Sequence, residues 1–328
     1  MLKGIFAILV GMILMISVMF GQLLINSDDK KEAKEPGINP DYHLQVIIQN
    51  TDEYFWNSFR EGAQVAAEEL GVYVEFVAIT QNSTDLLKEA VEKGVNAGVD
   101  GIALQPADSE ETKNMLDEAK NQGVAMITYE NDSFTIPDTP MVGSNSFSLG
   151  NFAGDMAVKA SDGRGNVVVI LNESGEQSDV SYRNLIIQGI VESFSRYSTI
   201  NITDIYTIDK EMFEAEKVAS TIVSNNEKVD LIICLDERST PGIAQVLVDN
   251  NMVGDIKLVG YGIAPQTLDY IKRGVIYGTV CPNSYEIGYD TVKQLTQSIN
   301  QEPISNYTNT ELYTIDSSNV DQYDEVIE

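Results

Sequence analysis

The chain has 328 residues, enough for two domains with separate cores, and its glycine, proline and apolar content are those of a globular protein. Its 21 Lys and Arg against 50 Asp and Glu give a formal net charge of −29, so the surface repels nucleic acid and anionic lipid headgroups. One histidine and two cysteines leave no Cys/His zinc cluster and no Ser/His or Cys/His dyad, and no cofactor or metal is expected.

Residues 5–25, IFAILVGMILMISVMFGQLLI, are apolar apart from Ser17, Gln22 and glycines. That run is long enough to span a bilayer as a helix. Lys3 and the free amine precede it, which favours a cytoplasmic N-terminus and an extracytoplasmic body at the cell membrane. The run exceeds the usual signal-peptide core, and no small-x-small site follows it. Residues 1–26 therefore read as a transmembrane anchor, with a cleaved signal as the alternative. The segment has no cysteine for a lipid anchor. Residues 27–41 are polar, carry two prolines and read as a flexible linker.

From residue 44 strands and helices alternate. LQVIIQ, VYVEFVAI, GIALQ and VAMITY read as strands, and between them lie three helical stretches. In the first of these, the spacing of Phe59, Ala63, Ala66 and Leu70 predicts a buried face, and Gly71 ends the helix. The series restarts with NVVVIL, ITDIYTI, LIICL and IKLVGY, again separated by helical stretches. Such alternation implies βαβ units and parallel sheets. VDGIALQPADSE also resembles VDLIICLDERST, and QGVAMITYEN resembles GDIKLVGYGI. The expected fold is α/β: two similar doubly wound parallel-sheet lobes facing each other. Cys234 lies within LIICL and reads as a buried core thiol; Cys234 and Cys281 are expected to be free, although a disulfide between them stays open.

Open parallel sheets bind ligands beyond the carboxyl ends of their strands. The segments there are NTDEYFW, QPADS, YENDS, NESGEQSD, LDERS, YGIAP and TVCPNS. They supply the acids Glu53, Glu130, Asp132, Glu173, Asp179, Asp236 and Glu237 against the cations Arg183 and Arg238. Carboxylates accept strong hydrogen bonds from hydroxyls, and aromatic faces pack on the C–H face of a sugar ring. The balance disfavours an anionic ligand and fits a neutral polyol, a sugar or a cation. Glu130 and Asp236 could alternatively be helix caps or solvated loop acids.

NTDEYFWNSFREGAQVAAEELG, VDGIALQPADSE, VAMITYEND, VGSNSFSLGNFAGDMA, VDLIICLDERSTPGIAQVL and IKLVGYG together resemble the type I periplasmic binding proteins, in the ribose-binding-like sugar branch. The resemblance covers about residues 44–300 and implies lobes crossed by three hinge segments. One lobe would hold 42–143 plus 284–303, the other 144–283 plus 304–328, with hinges at Ser144–Asn145, Cys281–Asn283 and after Pro303. It implies ligand contacts from Phe55 and Trp56 by stacking, and from Gln105, Glu130, Asn131, Asp132 and Asp236 by hydrogen bonding. The family's ligand-binding arginine aligns with Ile186, and Arg183, one turn earlier, is expected to substitute for it as a ligand contact. Tyr261 precedes Gly262, where the family has an aspartate. Asn283 follows Pro282, where it has a glutamine, and Tyr261 and Asn283 are both expected to contact the ligand. The ribose pattern is thus not preserved.

The implied function is an extracytoplasmic, non-enzymatic receptor that captures a small polar ligand, most simply a sugar. It would present that ligand to an ABC-type permease. The alternative is a membrane-anchored sugar-sensing co-receptor of a sensor histidine kinase. Neither a dinucleotide fingerprint, a Walker loop nor a nucleophile elbow is present.

Overall fold

The computed structural model of the chain describes residues 40–49, 54–80, 83–106, 109–130, 136, 138–172, 180–208, 213–224 and 228–326. The expected transmembrane anchor at 1–26 and nearly all of the linker lie outside them. Among the described residues no helix is long and apolar enough to cross a membrane.

The alternating pattern resolves into β1 (His43–Gln49), α1 (Tyr54–Leu70), β2 (Tyr73–Ile79), α2 (Thr84–Ala97), β3 (Gly101–Leu104), α3 (Glu110–Asn121), β4 (Ala125–Tyr129) and β5 (Met141–Gly143). There follow α4 (Ser146–Ser161), β6 (Arg164–Asn172), α5 (Val180–Phe194), β7 (Thr199–Ile208), α6 (Glu214–Ser224), β8 (Leu231–Leu235), α7 (Ser239–Asp249), β9 (Lys257–Tyr261), α8 (Pro265–Lys272) and β10 (Gly278–Pro282). The chain ends with α9 (Ser284–Ile299), β11 (Tyr307–Asn309), β12 (Leu312–Asp316) and a 3₁₀ turn, Val320–Val326. Side-chain caps start several helices: Ser83 accepts from the Leu86 N–H, Ser109 from Thr112 and Asn145 from Ser148.

Two six-stranded sheets result, ordered β2-β1-β3-β4-β5-β11 and β7-β6-β8-β9-β10-β12. The pairings are parallel except β10 with β12. The repeats seen in the sequence fall on equivalent strands, β3 with β8 and β4 with β9. They also share a bond pattern. Asp100 accepts from the His43 N–H at 2.7 Å and returns its own N–H to the His43 carbonyl at 2.8 Å. Asp230 does the same with Asn166, at 2.8 and 2.9 Å.

Each sheet is covered by apolar helix faces. On α1, Phe59, Ala63 and Ala66 are buried as their spacing predicts, but Leu70 is 39% exposed because the helix has reached its end. In each lobe a pair of helices meets at glycines. Cβ atoms on Gly62 and Gly288 would lie 2.0 Å from the carbonyl oxygens of Tyr285 and Phe59, where α1 crosses α9. Gly150 and Gly189 stand equally close to Ile186 and Phe147 where α4 meets α5. Cys234 and Cys281 are buried and free. Burial pushes the Cys281 thiol up to about 12, with Glu237 adding to the effect.

The chain crosses between the lobes at Gly143–Ser146, Pro282–Ser284 and Asn309–Leu312. The lobe boundary corrects an expectation: β11 pairs with β5, so residues 307–309 belong to the first lobe and not, with the rest of 304–328, to the second. The three segments bond side by side. The Thr310 N–H donates to the Gly143 carbonyl at 3.0 Å, and the Asn283 N–H donates to Glu311 at 2.9 Å.

The helix crossing gives a testable consequence. Gly288→Ala gains about 1 kcal/mol of helix propensity, but the new methyl overlaps backbone that cannot move away. Overpacking of that kind costs about 1–3 kcal/mol or more. A net loss of stability is expected in urea denaturation followed by Trp56, the only tryptophan, which sits in the same lobe. An unchanged or raised midpoint would show that the helices can separate without cost.

Candidate functional site

A cavity of about 150 Å³ lies where the carboxyl ends of both sheets face each other. The first lobe lines it with Phe55, Trp56, Gln105 and Glu130. The second contributes Leu149, Leu171, Asn172, Tyr182, Arg183 and Ile186, then Leu235, Asp236, Glu237, Arg238 and Tyr261. A volume near 150 Å³ holds one small ring.

The aromatic wall is built into the core of the first lobe. Trp56 is 4% exposed and meets Phe55 edge-on at 4.9 Å, Phe59 at 5.8 Å and Tyr129 at 6.1 Å between ring centroids. The Tyr129 hydroxyl donates to the Ile47 carbonyl beneath. Trp56 is therefore a core residue that also faces the cavity.

Glu130 stands at the end of β4 with φ +54°. The left-handed conformation costs a non-glycine residue roughly 1–2 kcal/mol. Its counterpart in the second repeat is Gly262, at φ +83°. The buried Glu130 Oε1 accepts from the Ser144 N–H at 3.2 Å and the Ser144 hydroxyl at 3.3 Å. Ser144 belongs to the first crossing, so this carboxylate is tied to the hinge.

Asp236 also caps a helix start. Its Oδ1 accepts from the Ser239 N–H at 2.8 Å and from the Ser239 hydroxyl, and its Oδ2 accepts from Asn172 Nδ2 at 2.9 Å. Cap and cavity roles coexist here.

Glu237 joins the lobes. Its Oε2 accepts from the Phe55 N–H in the first turn of α1 at 3.4 Å, and its Oε1 from the Ile263 N–H at 3.3 Å. Gly262 makes room for it, because a Cβ there would lie 2.6 Å from Glu237 Cγ. Helix N-termini attract carboxylates. Burial, then Tyr182, Glu130 and Glu237, raise the Tyr261 phenol well above its ordinary range, so it stays a neutral donor.

Seven of the expected ligand residues thus meet at one cavity: Phe55, Trp56, Gln105, Glu130, Arg183, Asp236 and Tyr261. Ile186 and Arg183, on successive turns of α5, both reach it. Asn283 is a correction. Its side chain caps α9 by accepting from the Glu286 N–H at 3.2 Å and donates to the Tyr313 hydroxyl at 2.7 Å, so it serves the hinge. Asn131 and Asp132, with Glu53, Glu173 and Asp179, lie outside the described residues. Sequence reasoning did not select Asn172, Tyr182 or the aliphatic side chains as ligand residues. Asn172 was discoverable as the last residue of a strand in this topology.

The lobe contact makes a prediction that needs no ligand. Removing the acceptor in Glu237→Ala should speed exchange of the Phe55 amide hydrogen about tenfold, as loss of one net hydrogen bond implies. Unchanged protection by nuclear magnetic resonance would mean that Glu237 does not hold the first lobe.

Residues 44–303 match the family model described as periplasmic binding protein domain. The D-allose-binding periplasmic protein of Escherichia coli (strain K12) is 22% identical over 268 residues, 77% of this chain and 83% of that protein. GanP, a glucose-galactose binding protein from Geobacillus stearothermophilus, superposes with a TM-score of 0.75 at 24% identity, covering 84% of this chain and 98% of GanP. The XylFII-LytSN complex contains a chain with a TM-score of 0.74 at 24% identity, covering 85% and 99%. At these identities the structural likenesses establish the fold.

Proposed function

This chain belongs to the periplasmic binding protein domain family, and on that premise we propose that it is a receptor that captures one neutral sugar or polyol between its lobes. The observation that carries this reading is a single cavity pairing an aromatic wall, Phe55 and Trp56, with the buried carboxylates of Glu130 and Asp236. The ring's C–H face packs on the aromatics while its hydroxyls donate to the acids. Three acids against two arginines disfavour an anionic ligand. The relatives, named as binding proteins, support capture over catalysis.

The proposed setting is the cell membrane, with residues 1–26 as anchor, the N-terminus cytoplasmic and the body outside. The first partner is an ABC-type permease that takes the ligand from the closed form. A sensor histidine kinase is the second. Likeness to a chain of the XylFII-LytSN complex and the reading of the apolar run as a retained anchor favour it. Cross-linking in native membranes separates the two by the identity of the attached subunit.

Binding is tested by titrating D-allose, D-glucose, D-galactose, D-arabinose and xylitol. A ligand at a hundred times its Kd should stabilise the fold by about 2.7 kcal/mol, seen as a rise in Tm, and should shift Trp56 emission. A panel with no effect on either reading would overturn the sugar assignment.

A further inference from the structure

We propose that Asn172 is a ligand-binding residue whose side-chain carbonyl accepts a hydrogen bond from a ligand hydroxyl, and that Asp236 is the positioning residue that aims it. The inference rests on the sugar-receptor reading and deepens it.

Asn172 is the last residue of β6 and lines the cavity. The parallel register pairs Leu171 with Leu235, so Asn172 and Asp236 follow as the next neighbours beyond an aliphatic floor. Asn172 Nδ2 donates to Asp236 Oδ2 at 2.9 Å. Asp236 cannot turn away, because its other oxygen is held by the Ser239 N–H and hydroxyl. Flipping the Asn172 amide would set its oxygen against a carboxylate oxygen, so one orientation is fixed.

In that orientation Asn172 Oδ1 is closed off from solvent and has no hydrogen-bond partner among the described residues. A buried acceptor without a donor is costly, and native structures rarely keep one without a use. The residue lines the cavity while this oxygen is covered, so a ligand hydroxyl would reach it as the lobes part and close again around the ligand. Asp236 then acts through Asn172: it fixes the amide and keeps the corner negative. The pair selects a ligand that presents a hydroxyl donor at this corner and rejects one that presents a carboxylate or phosphate.

The test is calorimetry on the full chain, using the tightest binder among D-allose, D-glucose, D-galactose, D-arabinose and xylitol, and then its monodeoxy analogues. Asn172→Ala should weaken binding of the parent compound about tenfold. For one monodeoxy analogue, lacking the hydroxyl that meets Oδ1, wild type and Asn172→Ala should bind alike. Asp236→Asn, which lets the amide flip, should lose selectivity at that same hydroxyl, beyond whatever it loses at a hydroxyl that Asp236 itself accepts. Asn172→Leu, close in size, serves if the alanine variant does not fold. If neither folds, a wild-type protein indifferent to every single deoxygenation overturns the inference. Parent affinity unchanged in the Asn172 variants also overturns it, as does an equal loss for all analogues, which marks a structural role. If wild type binds no compound of the panel, the failure belongs to the sugar-receptor reading and the inference falls with it.

Discussion

The structure depends on how its two lobes are joined. Three segments cross between them, and the crossings are bonded edge to edge through Gly143–Thr310 and Glu311–Asn283. Such a ribbon resists shear and twist between the lobes but yields to a bend spread over a few backbone dihedrals. Both sheets run directly into it, since β5 pairs with β11, β10 pairs with β12, and β11 leads into β12. A bend of the ribbon would open or close the lobes over their strand ends, where the cavity lies.

That constraint gives the buried acids their roles. Glu130 is bonded to Ser144 in the first crossing, and Glu237 reaches across the cleft to the Phe55 N–H. Both are less than 9% exposed. Carboxylates taken out of water must be hydrogen-bonded, or folding would be penalised by several kcal/mol each. Here the protein supplies those bonds from the hinge on one side and a helix N-terminus on the other. A ligand that closed the cleft would thus act on groups already coupled to the lobe geometry.

Much of this was legible in the sequence, because the signals were strong and local. Buried parallel strands write themselves as short apolar runs such as LIICL, and the duplicated VDGIALQ and VDLIICL exposed the two-lobe plan. The strand-end rule brought Phe55, Trp56, Gln105, Glu130 and Asp236 to one cavity. What stayed hidden depends on partners distant in the chain. β11 is three residues, YTN, with no apolar alternation, and only pairing with β5 makes it a strand. Asn283 looked like a ligand residue because it stands beside Pro282, where the family has a glutamine, yet its bonds to Glu286 and Tyr313 commit it to the hinge. The orphaned oxygen of Asn172 could not be read from sequence, since it follows from the fixed orientation of Asp236.

We propose that the cavity binds its ligand by closing the lobes about the crossing ribbon. The most direct measurement is the distance distribution between two spin labels, one on the exposed face of each lobe, with and without a saturating sugar that binds. A broad distribution with a longer mean is expected in the free protein, and a single short, narrow one when ligand is bound. Identical distributions in the two states would contradict it, because a cleft that does not move cannot report its occupant to a partner.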